Sequence, residues 1–593
     1  MEDQLRLESY YEGVLHRAAL HLIDQYQAVE MTYPELEKAL FPRSFQISIQ
    51  DQIDIILALP YNFPDDFPTV IVPEPYFSKL YPIPHLSKSK VLCTFDNEVA
   101  HPNIDDPHGV IDAVIDKAFS LIVEGQKKQN SEDYLDEFES YWMQDSSNEM
   151  LSLIKITEEA KEIHIITYQH PNWDTTTLVA DSRLEGEKWL LQGGAKINDG
   201  IKKALYLPLK SIGMPPYPKT NNEILKRLRT ESPEAVKPFI DFLNINGRPS
   251  TIVFSIPYGD GYLLGSWEHS KAQQYKSSAY KGKGNFQKSI KGFRPGRSNA
   301  VLELQRDYRD LSIKKQVLNR VDKERLFNRG GVGLKPESQR IGIIGCGSIG
   351  SHIARSLIDF GNHKLLLVDN DKLTFENIAR HLCGASDVGK YKVDAINQQL
   401  DSHLPHCEIT VYRNDVLKVL CDYESLLNRC DFSVVAIGHL PTELRLDQLQ
   451  KEGVIDKPLL YVWVEPYLAG AHAVYVDAQN VGCFHDLFDE QHIFKQSVLA
   501  EPGKFSKREA GCQSTYVPYG ILEVKRFLSE LTFFIQDINS GLIKENILFT
   551  WLGDLQLQRN SGRKISGRWA VAENYSTRKY PLGNFISHED VNA

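Results

Sequence analysis

Arg340-Ile341-Gly342-Ile343-Ile344-Gly345-Cys346-Gly347-Ser348-Ile349-Gly350 is the stretch whose reading decides the fold. Its first five residues form a short apolar, β-branched run, as a buried parallel strand requires. The glycines follow, and then a helical pattern sets Ile353, Ala354, Leu357 and Ile358 on one side. A second apolar run, Leu365-Leu366-Leu367-Val368, ends in Asp369. Strand, glycine turn, helix, strand and acid together make a nucleotide-binding βαβ unit. Glycines let the backbone approach phosphates, and the helix N-terminus offers unpaired N–H groups and a positive dipole. The acid closing the second strand can accept a hydrogen bond from a ribose hydroxyl.

Alone, such a unit favours a dinucleotide oxidoreductase. The residues downstream separate the two. Asn377-Ile378-Ala379-Arg380-His381 comes first, then Asp387-Val388-Gly389-Lys390-Tyr391-Lys392. Hydride transfer needs no pair of cations so close to a pyrophosphate. Attack on the α-phosphate of ATP does, because negative charge builds on the phosphate oxygens. The stretch resembles the ThiF/ubiquitin-activating family, whose adenylation domains carry N-x-x-R and D-x-G-x-x-K after the ribose acid. The match covers Gly345, Gly347, Gly350, Asp369, Asn377, Arg380 and Lys392. The resemblance implies a Rossmann-like adenylation domain that uses ATP with Mg2+. In it Arg380 and Lys392 would face phosphate and Asp369 the ribose.

Further strands are predicted at Cys407–Asp415, Phe432–Ile437 and Pro458–Val464. The family places a magnesium-binding Asp just beyond the fourth strand, where this chain has Gly438-His439. Metal binding then falls to Asp369, Asp371 or nearby groups, or to the phosphates of the nucleotide. The segment before the first strand holds Arg325 and Arg329. Either would reach across a homodimer, as the resemblance implies, or would cap a helix. Further on, Cys512 lies in Glu509-Ala510-Gly511-Cys512-Gln513, ahead of a helical pattern from Ile521 to Ile538. A cysteine at a helix approach suits a lowered thiol pKa. Its place resembles that of the thioester cysteine of activating enzymes. The other reading is a core cysteine.

At the other end, Leu5, Tyr11, Leu15, Ala18 and Leu22 are spaced as a helix, and Phe45 to Leu59 reads as two strands. Prolines dense between Pro60 and Pro68 exclude a helix there. Val70-Ile71-Val72 is a short strand, and a loop carrying His85 leads to Val91-Leu92-Cys93. Ile111 to Val123 is an amphipathic helix stopped by Gly125, and a further helix shows Leu135, Phe138, Tyr141 and Trp142 on one face. This order resembles a ubiquitin-conjugating domain with Cys93 as its thiol. The His-Pro-Asn element usual before that cysteine is not intact; His101-Pro102-Asn103 follows it instead. Cys93 reads as a packed cysteine or as an acyl acceptor, and an activating domain on the same chain favours the second.

Between these ends, residues 149–320 read as mixed strands and helices without a chemical motif. The stretch from Lys271 to Arg297 holds eight Lys or Arg and no acid. It is a solvated loop or a contact surface for an acidic partner.

The chain has 593 residues, too many for one core. The expected domains are 1–148 (α+β, conjugating-like), 149–320 (mixed α/β linker) and 321–593 (α/β, ThiF-like). A net charge of −11 argues against a general nucleic-acid binder. No apolar run is long enough for a membrane span, and the N-terminus is acidic, so a cytoplasmic chain is expected. Eight cysteines without a C-x-x-C pair fit a reducing compartment and leave no structural zinc of the sulfur-carrier type.

The domain order resembles the activating–conjugating fusions of bacterial type II CBASS anti-phage operons. That resemblance implies ATP-dependent joining of a cGAS/DncV-like nucleotidyltransferase C-terminus to a target amine. Activation of a sulfur carrier or another ubiquitin-like modifier, and a non-catalytic scaffold, are the alternatives.

Overall fold

The computed structural model describes residues 2–49, 53–96, 98–143, 148–198, 200–246, 249–259, 261–269, 310–330, 339–423, 425–505, 507–508, 515–516 and 518–585. Cys512 and the basic stretch 271–297 lie outside them. The chain divides into two compact units, one of residues 1–167, 173–183 and 199–320, the other of residues 168–172, 184–198 and 321–593.

The first unit begins with the helix Glu2–Tyr26. An antiparallel meander follows: Val29–Met31, Arg43–Ile49, Ile53–Leu59, Thr69–Ile71 and Val91–Leu92, paired in chain order. Ile47, Ile55, Leu57, Leu59, Val70 and Leu92 turn into a core closed by Val14, Ala18 and Leu22 of the first helix and Ile111, Val114, Ala118 and Ile122 of the helix Pro107–Gln126. That helix runs one residue past Gly125, so this glycine does not stop it. A Cβ on Gly125 would lie 2.7 Å from Ile83 Cβ. The glycine is there for close packing.

A second sheet in this unit runs Lys202–Pro208, Ser250–Tyr258, Gly261–His269, Lys314–Arg320, Glu149–Ser152 and Thr177–Ala180 side by side. The aromatic face expected near Trp142 comes from two short helices, Asp133–Asp136 and Phe138–Met143. It packs in the core of this second sheet: Tyr134, Phe138, Tyr141 and Trp142 sit with Leu207, Phe239, Phe254 and Trp267. The Trp142 indole N–H donates to Ser266 O at 3.1 Å.

The second unit holds an eight-stranded sheet in which Glu408–Tyr412, Lys364–Val368, Arg340–Ile344, Phe432–Val435 and Leu459–Val464 are parallel neighbours. Gly470–Val476, Ile547–Leu552 and Thr577–Pro581 extend it antiparallel. The chain therefore leaves the first strand to one side and later returns on the other. Such a switch opens a crevice beyond the strand ends, where ligands bind. The helices Ser348–Asp359, Lys392–His403 and Ile521–Asn539 cover one face, burying Ile353, Leu357, Ile396, Phe527 and Leu531. No described helix is long and apolar enough to cross a membrane.

Candidate active site

At the end of strand Arg340–Ile344 the chain must turn sharply without blocking the crevice. Gly345 does so at φ +88°, and a Cβ there would lie 2.6 Å from Ala436 O. Gly350 lets the following helix close on the turn, since its Cβ would meet Gly345 O at 1.9 Å. Gly347 differs: a Cβ there would meet nothing within 4 Å. The protein leaves that side of the turn open, as a phosphate cradle at the N-terminus of helix Ser348–Asp359 requires.

Asp369 ties the second strand to this turn. One carboxylate oxygen accepts the Cys346 N–H at 2.7 Å, and the other accepts the Asp371 N–H at 2.7 Å. Asp371 is exposed, and its carboxylate pairs with the buried Lys392 ammonium at 2.7 Å. The Lys392 N–H donates to Asp371 O at 2.9 Å, so side chain and backbone hold the same register. Asn377 builds the intervening turn: its side-chain oxygen accepts from Thr374 N–H and hydroxyl, both at 3.1 Å, and its carbonyl from Arg380 and His381 N–H. His381 is buried, which lowers its pKa, and its Nε2 faces Cys346 O at 2.9 Å. Its Nδ1 accepts the Cys383 N–H, so Nε2 carries the proton. Burial also lowers His352, to about 4, and its Nε2 faces Arg380 O at 3.2 Å.

The Arg380 guanidinium lies over the Tyr519 ring, 4.6 Å from its centroid. Tyr519 also places its hydroxyl 2.6 Å from Ser348 Oγ. In the place of the expected metal-binding Asp, Gly438 takes φ +69° and His439 is exposed. Glu443 braces this turn, accepting the Gly438 N–H at 3.0 Å; burial raises its carboxyl to about 7. No group of three metal-ligating side chains stands together among the described residues.

Arg325 and Arg329 are both exposed on the helix Lys323–Gly330, whose first turn is capped by the Asp322 carboxylate accepting the Arg325 N–H at 3.1 Å. Cys346 is fully buried and its thiol is pushed well up by burial, which fits a small packing residue.

In the first unit, Cys93 is exposed just beyond the strand Val91–Leu92. Its N–H donates to His85 O at 2.9 Å, and His85 sits at φ +65°. Protein packed beneath the thiol, together with the Glu137 carboxylate, raises its pKa. The His85 ring is clasped between Glu137 Oε1 at 2.8 Å and Asp133 Oδ2 at 3.0 Å, and the hydrogen bond from Glu137 leads in raising its pKa. With a carboxylate at each ring nitrogen, the imidazolium is the favoured form. Asn103, exposed, spends its side-chain oxygen on the Asp105 N–H at 3.2 Å, in the turn before helix Pro107–Gln126.

The fold thus brings Gly345, Gly347, Gly350, Asp369, Asp371, Asn377, Arg380 and Lys392 to one crevice, and places Cys93 in the other unit. Ser348, His352, His381, Glu443 and Tyr519 contact the glycine turn or the loops beside it, and none was given a role from sequence. Ser348, inside the glycine motif, and His381, beside Arg380, carried a local signal.

Two family models match: the ThiF family over residues 329–525 and the prokaryotic E2 family B over residues 37–151. The chain joins a ThiF domain to a prokaryotic E2 domain. It is similar to the ATP-dependent ubiquitin transferase-like protein Cap2 of Escherichia coli, with 22% identity over 76% of this chain and 78% of the relative. The Pseudomonas aeruginosa protein of the same name is 26% identical over 36% of this chain, an alignment spanning 39% of that relative's length. Among solved structures, E. coli MccB with MccA-N7isoASN is similar over 42% of this chain and 64% of MccB, at 16% identity and a TM-score of 0.29.

Proposed function

We propose that the chain activates the C-terminal carboxylate of a partner protein with ATP and passes it, through two thioesters, to a target amine. The observation that carries this reading is the glycine turn: its open side at Gly347, the Asp369 carboxylate tied to it and two cations, Arg380 and Lys392, on one chain with an exposed Cys93. The partner carboxylate attacks the α-phosphate, and pyrophosphate leaves with the electron pair of the broken P–O bond. Arg380 and Lys392 offset the charge growing on the phosphate oxygens. Asp369 orients the ribose, and Asn377 holds Arg380 in place. Magnesium, bound to the phosphates with Asp371 as the exposed carboxylate nearby, would screen their charge. The Cys512 thiolate then displaces AMP, the Cys93 thiolate takes the acyl group, and an amine releases it.

The three-part division at residues 148 and 320 is the domain scheme of this proposal. The bacterial relatives named ATP-dependent ubiquitin transferase-like protein support the transfer chemistry, and the domain order suggests a bacterial anti-phage setting. The modified protein would be a cGAS/DncV-like nucleotidyltransferase, and the enzyme a cytoplasmic homodimer built through the ThiF domain.

Non-reducing gels of thiol variants with ATP and the partner test the order of transfer. Cys512→Ala should abolish every thioester while pyrophosphate exchange persists. Cys93→Ala should accumulate a reductant-sensitive adduct on Cys512. Charging of Cys93 at the normal rate in Cys512→Ala would discard the relay.

A further inference from the structure

Tyr519 belongs to none of the motifs that mark the crevice, and it stands 171 residues from Ser348 along the chain. Even so, it touches two of the groups a polyphosphate would meet. Ser348 follows Gly347 as the first residue of helix Ser348–Asp359, at the end where unpaired N–H groups gather. Its hydroxyl lies at that end, 2.6 Å from the Tyr519 hydroxyl. Arg380 has its backbone fixed from two directions, by the Asn377 carbonyl and by His352. The Tyr519 ring lies 4.6 Å from the guanidinium and gives it an aromatic platform.

The platform is itself anchored. Pro518 O accepts the Tyr467 N–H, and Tyr519 packs against the apolar core under the helix Ser348–Asp359. A rigid aromatic with a polar tip, seated between a helix N-terminus and a guanidinium, costs little entropy to hold.

We propose that Tyr519 is a positioning residue of the nucleotide site: its ring seats the Arg380 guanidinium beside the phosphate path, and its hydroxyl orients the Ser348 donor. The proposal rests on the adenylation reading and adds to it a residue outside the glycine, N-x-x-R and D-x-G-x-x-K elements.

The test is a double-mutant cycle on the full chain, titrated with the nonhydrolysable nucleotide AMPCPP. Tyr519→Phe keeps the ring and should bind about threefold more weakly, on the scale of one exposed hydrogen bond. Tyr519→Leu loses ring and hydroxyl and should bind about tenfold more weakly, as should Arg380→Ala. Because Tyr519 acts through Arg380, Tyr519→Leu in the Arg380→Ala background should cost only the roughly threefold step of the Ser348 contact. A Tyr519→Leu chain that binds within about twofold of wild type overturns the proposal, as do fully additive losses, which a purely structural role would give. Failure of the wild type to bind AMPCPP overturns the adenylation reading as well. Normal AMPCPP binding without any pyrophosphate exchange when the partner carboxylate is supplied overturns the adenylation reading and leaves the cycle to decide on Tyr519.

Discussion

Substituting Gly347 separates the needs of the fold from the needs of the nucleotide. Its φ of −74° and ψ of −155° are open to any residue, and an added Cβ meets nothing within 4 Å. The structural cost of Gly347→Ala is that of a poorer helix N-cap, about 0.5–1 kcal/mol, which lowers the midpoint of a domain this size by roughly 1–4 °C. Gly345→Ala and Gly350→Ala contrast with it, because their methyl groups would press on the carbonyls of Ala436 and Gly345. Such clashes cost about 3 kcal/mol or more. For the ligand the ranking reverses. A methyl at Gly347 occupies the open side of the turn and forces a phosphate away from the helix N–H groups. Each charge-assisted hydrogen bond lost is worth about 1.5–3 kcal/mol, so ATP should bind Gly347→Ala roughly tenfold to a hundredfold more weakly. Calorimetric titration with AMPCPP beside a thermal melt reads both quantities on one sample. Wild-type affinity in a folded Gly347→Ala chain would remove the nucleotide from this turn.

Arg380→Ala should slow pyrophosphate exchange by about 3 kcal/mol of transition-state stabilisation, more than a hundredfold; exchange at the wild-type rate would take Arg380 out of the chemistry. His85→Gln should destabilise the first unit by about 1–2 kcal/mol, the scale of two partly exposed charge-assisted contacts. The His85 pKa is raised in the fold, so its contribution is complete below the unfolded value near 6.5 and fades as pH rises through the folded one. Glu137 is buried, which raises its carboxyl, but His85 outweighs this and leaves it lowered, so the clasp also weakens in strong acid. Melts of both chains from pH 4 to 9 check this. A stability gap that widens above neutrality would contradict it.

The nucleotide unit was legible because its parts are contiguous: Arg340 to Lys392 holds strand, turn, helix, acid and cations in one order. The predicted strands and helices there match the observed ones to within a few residues. What stayed hidden is long-range. Nothing near Ser348 in sequence announces Tyr519, and nothing near His85 announces Glu137, 52 residues on. Gly125 looked like a helix stop because sequence cannot distinguish a terminal glycine from one pressed against Ile83. The strands Gly470–Val476, Ile547–Leu552 and Thr577–Pro581 escaped notice for another reason. The first two are buried throughout, and without a motif beside them such short buried runs cannot be told from a buried helix segment by periodicity.

The short helices between residues 133 and 143 serve two masters. Their aromatic side is part of the core of the second sheet, while their acidic side grips the histidine whose carbonyl holds Cys93. The second sheet is therefore a handle on the thiol. From its core to the Cys93 backbone the contacts run through two short helices and one imidazole.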